Sequence, residues 1–184
     1  ELKAISTPDW MKRFINDHRY YFQGMIMDVY SYKTNASYPT VAQYLNIRDR
    51  LIGGFMVCDL VELLSGRPFS NLLVNRQEIQ SLRLLATRLM IWDNDIFSYM
   101  KELEEGESMN IVLVYISERQ ISLEEAIEKA KKRRNKDLEE MLQLKENLFD
   151  FGNNRRQVEL YIDDMFILLK GQLDWYKHIS KRYH

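Results

Sequence analysis

The stretch that decides this fold reads NDIFSYMKE over residues 94–102. It places an amide, a hydroxyl and a carboxylate at successive four-residue steps, at Asn94, Ser98 and Glu102. Each step turns an α-helix by only about 40°, so the three side chains lie within an arc of about 80°. Oxygen ligands in a row suit a hard cation such as Mg²⁺, which completes its coordination with water and phosphate oxygens. Because Lys101 stands beside the row, the stretch predicts a metal and diphosphate site on one helix face.

Helical patterns extend from this row in both directions. Asn75 and Glu78 predict the start of the helix that carries the row, and Gly106 predicts its end. A short helix is expected from about Ser108 to Glu118. Further helices are predicted over about 10–31, 40–64, 122–149 and from 155 to the C-terminus, with loops over 33–39 and 67–75.

Three residue pairs predict where helices begin. Thr7 with Pro8 fits an N-cap followed by proline at the first helical position. Thr40 with Gln43, and Ser122 with Glu125, fit capping boxes. The sequence contains no alternating pattern typical of strands, so the predicted fold class is all-α.

Composition indicates one globular domain over residues 1–184. The chain is 46% hydrophobic with a net charge of −1, which argues against disorder and against nucleic-acid binding. Cys58 is the only cysteine, so an internal disulfide is excluded and a reducing, cytoplasmic location is expected. No apolar run approaches the roughly 18 residues of a membrane span and there is no signal peptide, so we expect no stable membrane association.

The most apolar segments are predicted to form the inside of a helical bundle. These are residues 40–64, 76–104 and 156–183, whereas the strongly charged segment 122–149 is expected outside. Polar side chains that face an apolar interior are costly unless they have partners. A metal ion with phosphate would supply such partners to the row.

The glycine pair Gly53-Gly54 interrupts a helical pattern. A pair of glycines inside a helix is expected to break or kink it and to expose backbone groups. The expected break involves Leu51, Ile52 and Gly53. Taken alone, the pair fits a packing kink equally well.

Four features together resemble the class I terpene synthases, the bacterial type in particular. Residues 94–102 resemble their second metal motif, and Arg48 in the preceding segment resembles the arginine that senses the diphosphate. Gly53-Gly54 follows where this family breaks an inner helix. Arg182-Tyr183 resemble the terminal pair that closes over the diphosphate. The resemblance covers essentially the whole chain and implies the class I terpenoid synthase helical bundle.

The chain departs from this family in two ways. It has no aspartate-rich motif before Arg48 and is shorter than the family's catalytic domain, and it opens at Glu1 without a methionine. Residues 1–184 are therefore interpreted as the C-terminal portion of a single α-helical domain whose N-terminal helices are absent. Leu51 also stands where some members have a polar residue that links the sensing arginine to the backbone.

The resemblance implies a role for each part of the site. The family uses a cluster of three Mg²⁺ ions, and this chain holds the ligands of one, namely Asn94, Ser98 and Glu102. The groups expected to bind the diphosphate are Arg48, Lys101, Arg182 and Tyr183. The residues expected to line the apolar pocket are Phe55, Met56, Met90, Phe97 and Trp175.

The implied reaction begins with a linear isoprenyl diphosphate, most simply farnesyl diphosphate. Metal and basic groups stabilise the leaving diphosphate, and the resulting carbocation cyclises to a sesquiterpene in an aromatic pocket that excludes water. The substrate is the expected partner, nucleic acid is not, and a homodimer is compatible with the family.

Other interpretations of the same residues are open. The row at Asn94, Ser98 and Glu102 fits a solvated helix face if it is taken alone. Lys101 can pair with Glu105 one turn later, and Asp95 is expected to accept a hydrogen bond from a neighbouring helix instead of binding metal. At the level of function, the chain fits a non-catalytic isoprenoid- or diphosphate-binding module that has lost the aspartate-rich site. A chain-elongating prenyltransferase is disfavoured because its second motif is aspartate-rich.

Overall fold

The computed structural model describes residues 2–34, 37–148 and 151–180, and every regular element within these ranges is helical. The predicted all-α fold class is thereby confirmed. None of the helices in these ranges combines the length and the apolar character needed to cross a membrane.

Nine α-helices form the described part of the chain, together with short π- and 3₁₀-helical turns. The α-helices are α1 (Leu2–Ile5), α2 (Pro8–Asp28), α3 (Val41–Leu51), α4 (Gly54–Leu64), α5 (Asn71–Val74), α6 (Gln77–Glu104), α7 (Ile111–Arg119), α8 (Leu123–Glu146) and α9 (Arg155–Asp174). A π-helical turn, Val29–Lys33, continues α2, and a second, Trp175–Ile179, continues α9. A 3₁₀ turn, Gly152–Asn154, precedes α9.

The predicted helix starts agree with the structure at four of six places, among them the start of α9 at Arg155. The Thr7 hydroxyl accepts a hydrogen bond from the amide of Trp10, and the Thr40 and Ser122 capping boxes are both present. The prediction that Asn75 begins α6 was wrong, because Asn75 instead ends α5, a short helix within the expected loop. The predicted start of α7 at Ser108 was early, since the N-cap is Asn110.

The glycine pair separates α3 from α4. Gly53 has a φ of 71°, in the left-handed region that costs a residue with a Cβ about 1–2 kcal/mol. A Cβ on Gly54 would lie 2.6–2.9 Å from three side-chain atoms of Thr87 on α6. One glycine therefore permits the turn, and the other permits α4 to pack closely on α6.

Helix α6 lies at the centre of the bundle and joins two apolar clusters. In the first, Leu82, Leu85 and Leu89 pack with Val61 of α4 and Ile162 of α9. The second cluster contains Ile91 and Trp92 of α6 with side chains from α3, α7 and α8. Helix α8 buries only four of its 24 residues, as expected for an outer helix.

A buried ionic network fixes α2 against α4 and α6. Arg83 of α6 donates hydrogen bonds to Asp59 at 2.7 Å, to Asp17 at 2.9 Å and to Glu62 at 3.1 Å. Arg13 of α2 donates to Asp59 at 2.9 Å and also to Glu62. Ion pairs therefore join three helices, which fixes the position of α2 beside the glycine break.

The outer face of α2 is apolar and exposed. Ile15, Phe22 and Ile26 are 44%, 56% and 58% exposed, and Tyr30 in the π-helical turn that continues α2 is 75% exposed. These positions lie on one side of the helix, opposite Trp10, which is fully buried.

Candidate functional site: a diphosphate and metal site on helix α6

The last three turns of α6 carry the row predicted from the sequence. Asn94 and Glu102 are partly buried, and Ser98 is buried between them. Their partners come from α3, from the start of α7 and from the turn after α9. The row therefore faces other helices, which is not the arrangement of a solvated surface.

Asp95 fixes Arg48 beside the row. Its fully buried carboxylate accepts hydrogen bonds from Arg48 at 2.5 and 3.1 Å and from the Tyr44 hydroxyl at 2.5 Å. The backbone amide of Ile111 donates a further bond at 2.6 Å. Asp95 thus acts as an anchor for three neighbouring groups, as the sequence led us to expect.

Arg48 is a permanently charged group at the wall of the site. Burial opposes its charge, but the Asp95 carboxylate outweighs burial and raises the pKa of Arg48 above its ordinary value. Its Nη2 atom also donates to the Asn94 side-chain oxygen at 2.7 Å. The guanidinium therefore lies between an anchoring carboxylate and a predicted metal ligand.

The side-chain amide of Asn94 is engaged at both ends. Its oxygen accepts from Arg48, and its Nδ2 donates to the Tyr176 hydroxyl at 2.9 Å. Gln172 of α9 approaches the same hydroxyl at 3.4 Å. These bonds fix which end of the amide faces Arg48, and they connect the row to the last helix.

Asn110 supports the other end of the row. Its side-chain Nδ2 lies 2.9 Å from both the Asp95 backbone oxygen and Glu102 Oε2, and 3.5 Å from Ser98 Oγ. Its side-chain oxygen accepts from the amide of Val112, which caps α7. Asn110 therefore joins the start of α7 to three positions of α6.

Glu102 contributes the row's only carboxylate. Burial raises its pKa, and the nearby charge of Asp95 adds to this effect. Arg48 opposes the rise, as do the hydrogen bonds from Asn110 and Ser98. A bound cation would favour the charged form in the same way.

Lys101 lines a cavity at the Glu102 end of the row, and its charge is paired. Its ammonium group contacts the Glu105 carboxylate one turn later, which was the alternative considered from the sequence. A cavity of about 340 Å³ is lined by Arg48, Lys101 and Glu102 together with Leu51 from the helix break. Predicted metal, diphosphate and helix-break residues therefore meet at one opening.

Further charges surround this opening. Lys33 lies 2.8 Å from Glu107 and 3.7 Å from Asp28, and burial raises the pKa of Asp28. The cations at the cavity, Arg48, Lys101 and Lys33, each have a carboxylate partner. An incoming diphosphate would exchange with those carboxylates, and it would meet no unpaired cation among these three.

The predicted pocket residues do not all come together. Phe97 stacks on Tyr176 at a ring-centroid distance of 5.1 Å, and Trp175 contacts the same ring at 5.2 Å. Met90 belongs to the apolar core, and Met56 lies next to Gly53. The structure thus brings Phe97 and Trp175 together beside the row.

Phe55 lies apart from this group. Its ring makes an edge contact with Tyr20 of α2, and it lines a separate cavity of about 600 Å³ between α2, α5 and α6. The reason is that α4 turns at Gly53, so the residue just after the break faces α2. Arg182 and Tyr183 lie outside the described residues.

Three supporting residues were missed or undervalued from the sequence. Tyr44 and Tyr176 carry no motif signal, because tyrosines on inner helices are common core residues. Asn110 had a detectable signal, since asparagine just before a helical pattern is a favoured N-cap. Its second role, towards α6, depends on how two helices pack and has no local sequence signature.

The donor set fits a hard cation. One carboxylate, one amide oxygen and one hydroxyl are the ligand types that Mg²⁺ accepts, and the remaining positions would take water or phosphate oxygens. Within the described ranges, no group of three or more histidine, cysteine, aspartate or glutamate side chains is placed to hold a metal. The donor types of the row are therefore compatible with a hard cation.

Comparison with known proteins identifies the family. The family model described as terpene synthase family 2, C-terminal metal binding, matches residues 1–140. Germacrene A synthase of Nostoc punctiforme is 30% identical over 95% of this chain and 54% of its own length. The chain therefore belongs to this terpene synthase family.

Two further proteins resemble this chain, one in sequence and one in fold. The (+)-T-muurolol synthase of Roseiflexus castenholzii, named as (2E,6E)-farnesyl diphosphate cyclizing, is 34% identical over 69% of this chain and 39% of its own length. The 2-methylisoborneol synthase of Streptomyces coelicolor, solved with Mg²⁺ and geranyl-S-thiolodiphosphate, shares the fold with a TM-score of 0.86. That alignment is 22% identical and covers 98% of this chain and 56% of the other. The chain spans about half the length of the curated relatives it matches.

Proposed function

We propose that residues 1–184 form the C-terminal portion of a Mg²⁺-dependent terpene cyclase that acts on farnesyl diphosphate. The observation that carries this proposal is the position of Arg48, whose charged guanidinium contacts both Asp95 and Asn94 beside Glu102 and Lys101. Farnesyl diphosphate is supported by the name of the relative that cyclises it. The share of the relatives' length that this chain spans supports the assignment to one portion of a longer domain.

Each residue of the row has a defined part in this proposal. Asn94, Ser98 and Glu102 would hold one Mg²⁺ through their oxygens, with Glu102 supplying the negative charge. The ion would stabilise negative charge on the departing diphosphate. Asp95 would not bind metal, because its carboxylate is fully buried and already accepts four hydrogen bonds.

Arg48 would recognise the diphosphate by exchanging partners. Asp95 holds the guanidinium at the cavity wall, and Asn94 accepts one of its N–H groups. Guanidinium groups bind phosphate oxygens bidentately. A turn of Arg48 towards diphosphate would also free the Asn94 oxygen for the metal, since a cation and a guanidinium repel each other at one oxygen.

The apolar side of the site would hold the isoprenoid. Phe97, Tyr176 and Trp175 form a connected group of rings next to Asn94. Ring faces stabilise positive charge and exclude water, which a carbocation requires.

A non-catalytic binding module is the second candidate. The observation that favours it is the absence, within the described ranges, of a cluster of three or more acidic, histidine or cysteine side chains placed for metal. Such a module would bind diphosphate at Arg48 and Lys101 and release it unchanged.

Product analysis separates the two candidates. We expect the longer cyclase of which residues 1–184 are proposed to be a portion, incubated with farnesyl diphosphate, to yield a hydrocarbon or alcohol by gas chromatography–mass spectrometry only when Mg²⁺ is present. Glu102→Ala and Arg48→Ala should abolish it, whereas Glu139→Ala and Arg156→Ala, at exposed positions on outer surfaces, should not.

Binding is measured in parallel by calorimetry with inorganic diphosphate and Mg²⁺. Binding by that longer protein without product would favour the module. Product formation that persists undiminished in both site variants would contradict the assigned roles.

A further inference from the structure

Asn110, the N-cap of α7, reaches the row on α6. It is fully buried, and both ends of its side-chain amide are engaged. The oxygen caps α7 through the amide of Val112 at 2.9 Å. The nitrogen faces the Asp95 backbone oxygen and Glu102 Oε2, each at 2.9 Å.

The orientation of this amide is fixed by its partners. The amide nitrogen of Val112 can only donate, so it needs the oxygen of Asn110. The Asp95 carbonyl can only accept a hydrogen bond, and so can the charged Glu102 carboxylate. Both therefore need the nitrogen of Asn110 as donor. Turning the amide over would place like groups against each other at all three contacts.

The two protons on Nδ2 therefore have two different uses. One proton satisfies the buried Asp95 carbonyl, and the other binds Glu102 Oε2. Glu102 Oε1 is left as the carboxylate oxygen that Asn110 does not hold. Ser98 Oγ lies within 3.5 Å of the same nitrogen, so two of the three residues in the row have Asn110 as a neighbour.

Two other N-caps, Thr40 and Ser122, form their capping hydrogen bonds within their own helices. Thr40 and Ser122 lie at exposed positions and exchange hydrogen bonds with glutamine or glutamate of their own helices. A serine or threonine caps a helix about as well as asparagine. Capping alone therefore does not require the amide nitrogen of Asn110.

We propose that Asn110 is a positioning residue that holds the Glu102 carboxylate in the orientation needed to bind Mg²⁺. This inference rests on the proposed function, because it takes the row as a metal site. Groups that hold a metal ligand by hydrogen bonds commonly change metal affinity by about 10–100-fold when they are removed. Asn110→Ser keeps a capping oxygen and removes the nitrogen, so it isolates the second role.

The test is a calorimetric titration of Mg²⁺ into the full chain in the presence of inorganic diphosphate. Asn110→Ser should retain helical circular dichroism and weaken Mg²⁺ binding by about tenfold or more. Asn110→Thr, which also caps, serves as the second variant if the serine variant does not fold. Ser122→Ala is the matched control, since it removes the N-cap of α8 and should lower thermal stability without changing Mg²⁺ affinity.

A double-mutant comparison separates positioning from general destabilisation. In a Glu102→Gln background, Asn110→Ser should cause little further loss of Mg²⁺ affinity, because the carboxylate it holds is gone. Equal losses in both backgrounds would overturn the inference, as would unchanged Mg²⁺ affinity in Asn110→Ser. Failure of the unsubstituted chain to bind Mg²⁺ would overturn the proposed function and this inference together.

Discussion

Two buried arginines, one on α6 and one packed against it, have different surroundings. Arg83, on α6 itself, is 2% exposed and donates to three carboxylates, Asp17, Asp59 and Glu62. Arg48, on α3, is 9% exposed and has one carboxylate, Asp95, and one amide, Asn94. Each arginine lines a cavity: Arg48 shares its cavity with Lys101 and Glu102, and Arg83 shares the larger one with Phe55.

This difference separates a structural cation from one suited to binding. Three carboxylates already neutralise the charge of Arg83, so an added anion would be repelled by them. Arg48 is anchored by one carboxylate and also donates an N–H to the neutral amide of Asn94, which an incoming phosphate oxygen can replace. Burial, charge and an adjoining cavity do not distinguish the two arginines, but the number of carboxylates that each contacts does.

The largest expected effect is on stability when Arg83 is removed. Arg83→Leu would leave Asp59 and Glu62 buried with Arg13 as their only nearby arginine, which should lower the free energy of unfolding by about 3–5 kcal/mol. Urea denaturation measures this change. Arg88→Leu, at a half-buried position on the same helix, should change stability much less, and equal losses would show that the Arg83 network has no special role.

A smaller effect, on binding and not on folding, is expected at Arg48. Arg48→Lys keeps the charge but loses the planar pair of donors, so the affinity for diphosphate with Mg²⁺ should fall by about tenfold or more. Thermal unfolding in the absence of ligand should change less than in Arg83→Leu. Calorimetry with inorganic diphosphate checks the first expectation. A large stability loss with unchanged affinity would reverse the comparison between the two arginines.

The smallest effect is a pH dependence that belongs to the Arg83 region. Burial raises the pKa of Asp17 from 3.8 to about 6 and that of Glu62 from 4.5 to about 7. The folded protein therefore binds protons more tightly than the unfolded chain, and these groups should make it less stable as pH rises from about 4 to about 7.

Substitution at Asp17 tests that sign. Asp17→Asn should make the decline between pH 5 and 7.5 shallower by about 1 kcal/mol in urea denaturation. Glu104→Gln, at an exposed position of α6, should leave the decline unchanged. A decline that steepens in Asp17→Asn would contradict the role given to this carboxyl.

Much of the fold could be predicted from local patterns. The capping boxes at Thr40 and Ser122 and the break at Gly53 depend on residues close in sequence, and each was confirmed. The start of α6 was predicted wrongly because Asn75 is the C-cap of α5, a one-turn helix whose N-cap is Ser70. Short helices of this kind bury little surface and leave only a weak periodic signal.

The site was predicted less completely, because its support comes from distant parts of the chain. Asn94, Ser98 and Glu102 form a row that helix geometry alone defines, and Arg48 lies beside them as the resemblance implied. Tyr176 reaches Asn94 across 82 residues of sequence. Only the packing of α9 on α6 brings them together. Phe55 is an aromatic residue that was predicted to line the pocket, but the structure places it against α2.

The central claim is that Arg48 and the row on α6 form one binding site for diphosphate and a divalent cation. The most direct measurement is calorimetry of inorganic diphosphate binding to the full chain, with and without Mg²⁺, compared with Glu102→Ala. The account predicts binding that Mg²⁺ strengthens in the unsubstituted chain and does not strengthen in Glu102→Ala. Binding that is equally strong with and without Mg²⁺, or that Glu102→Ala leaves unchanged, would contradict it.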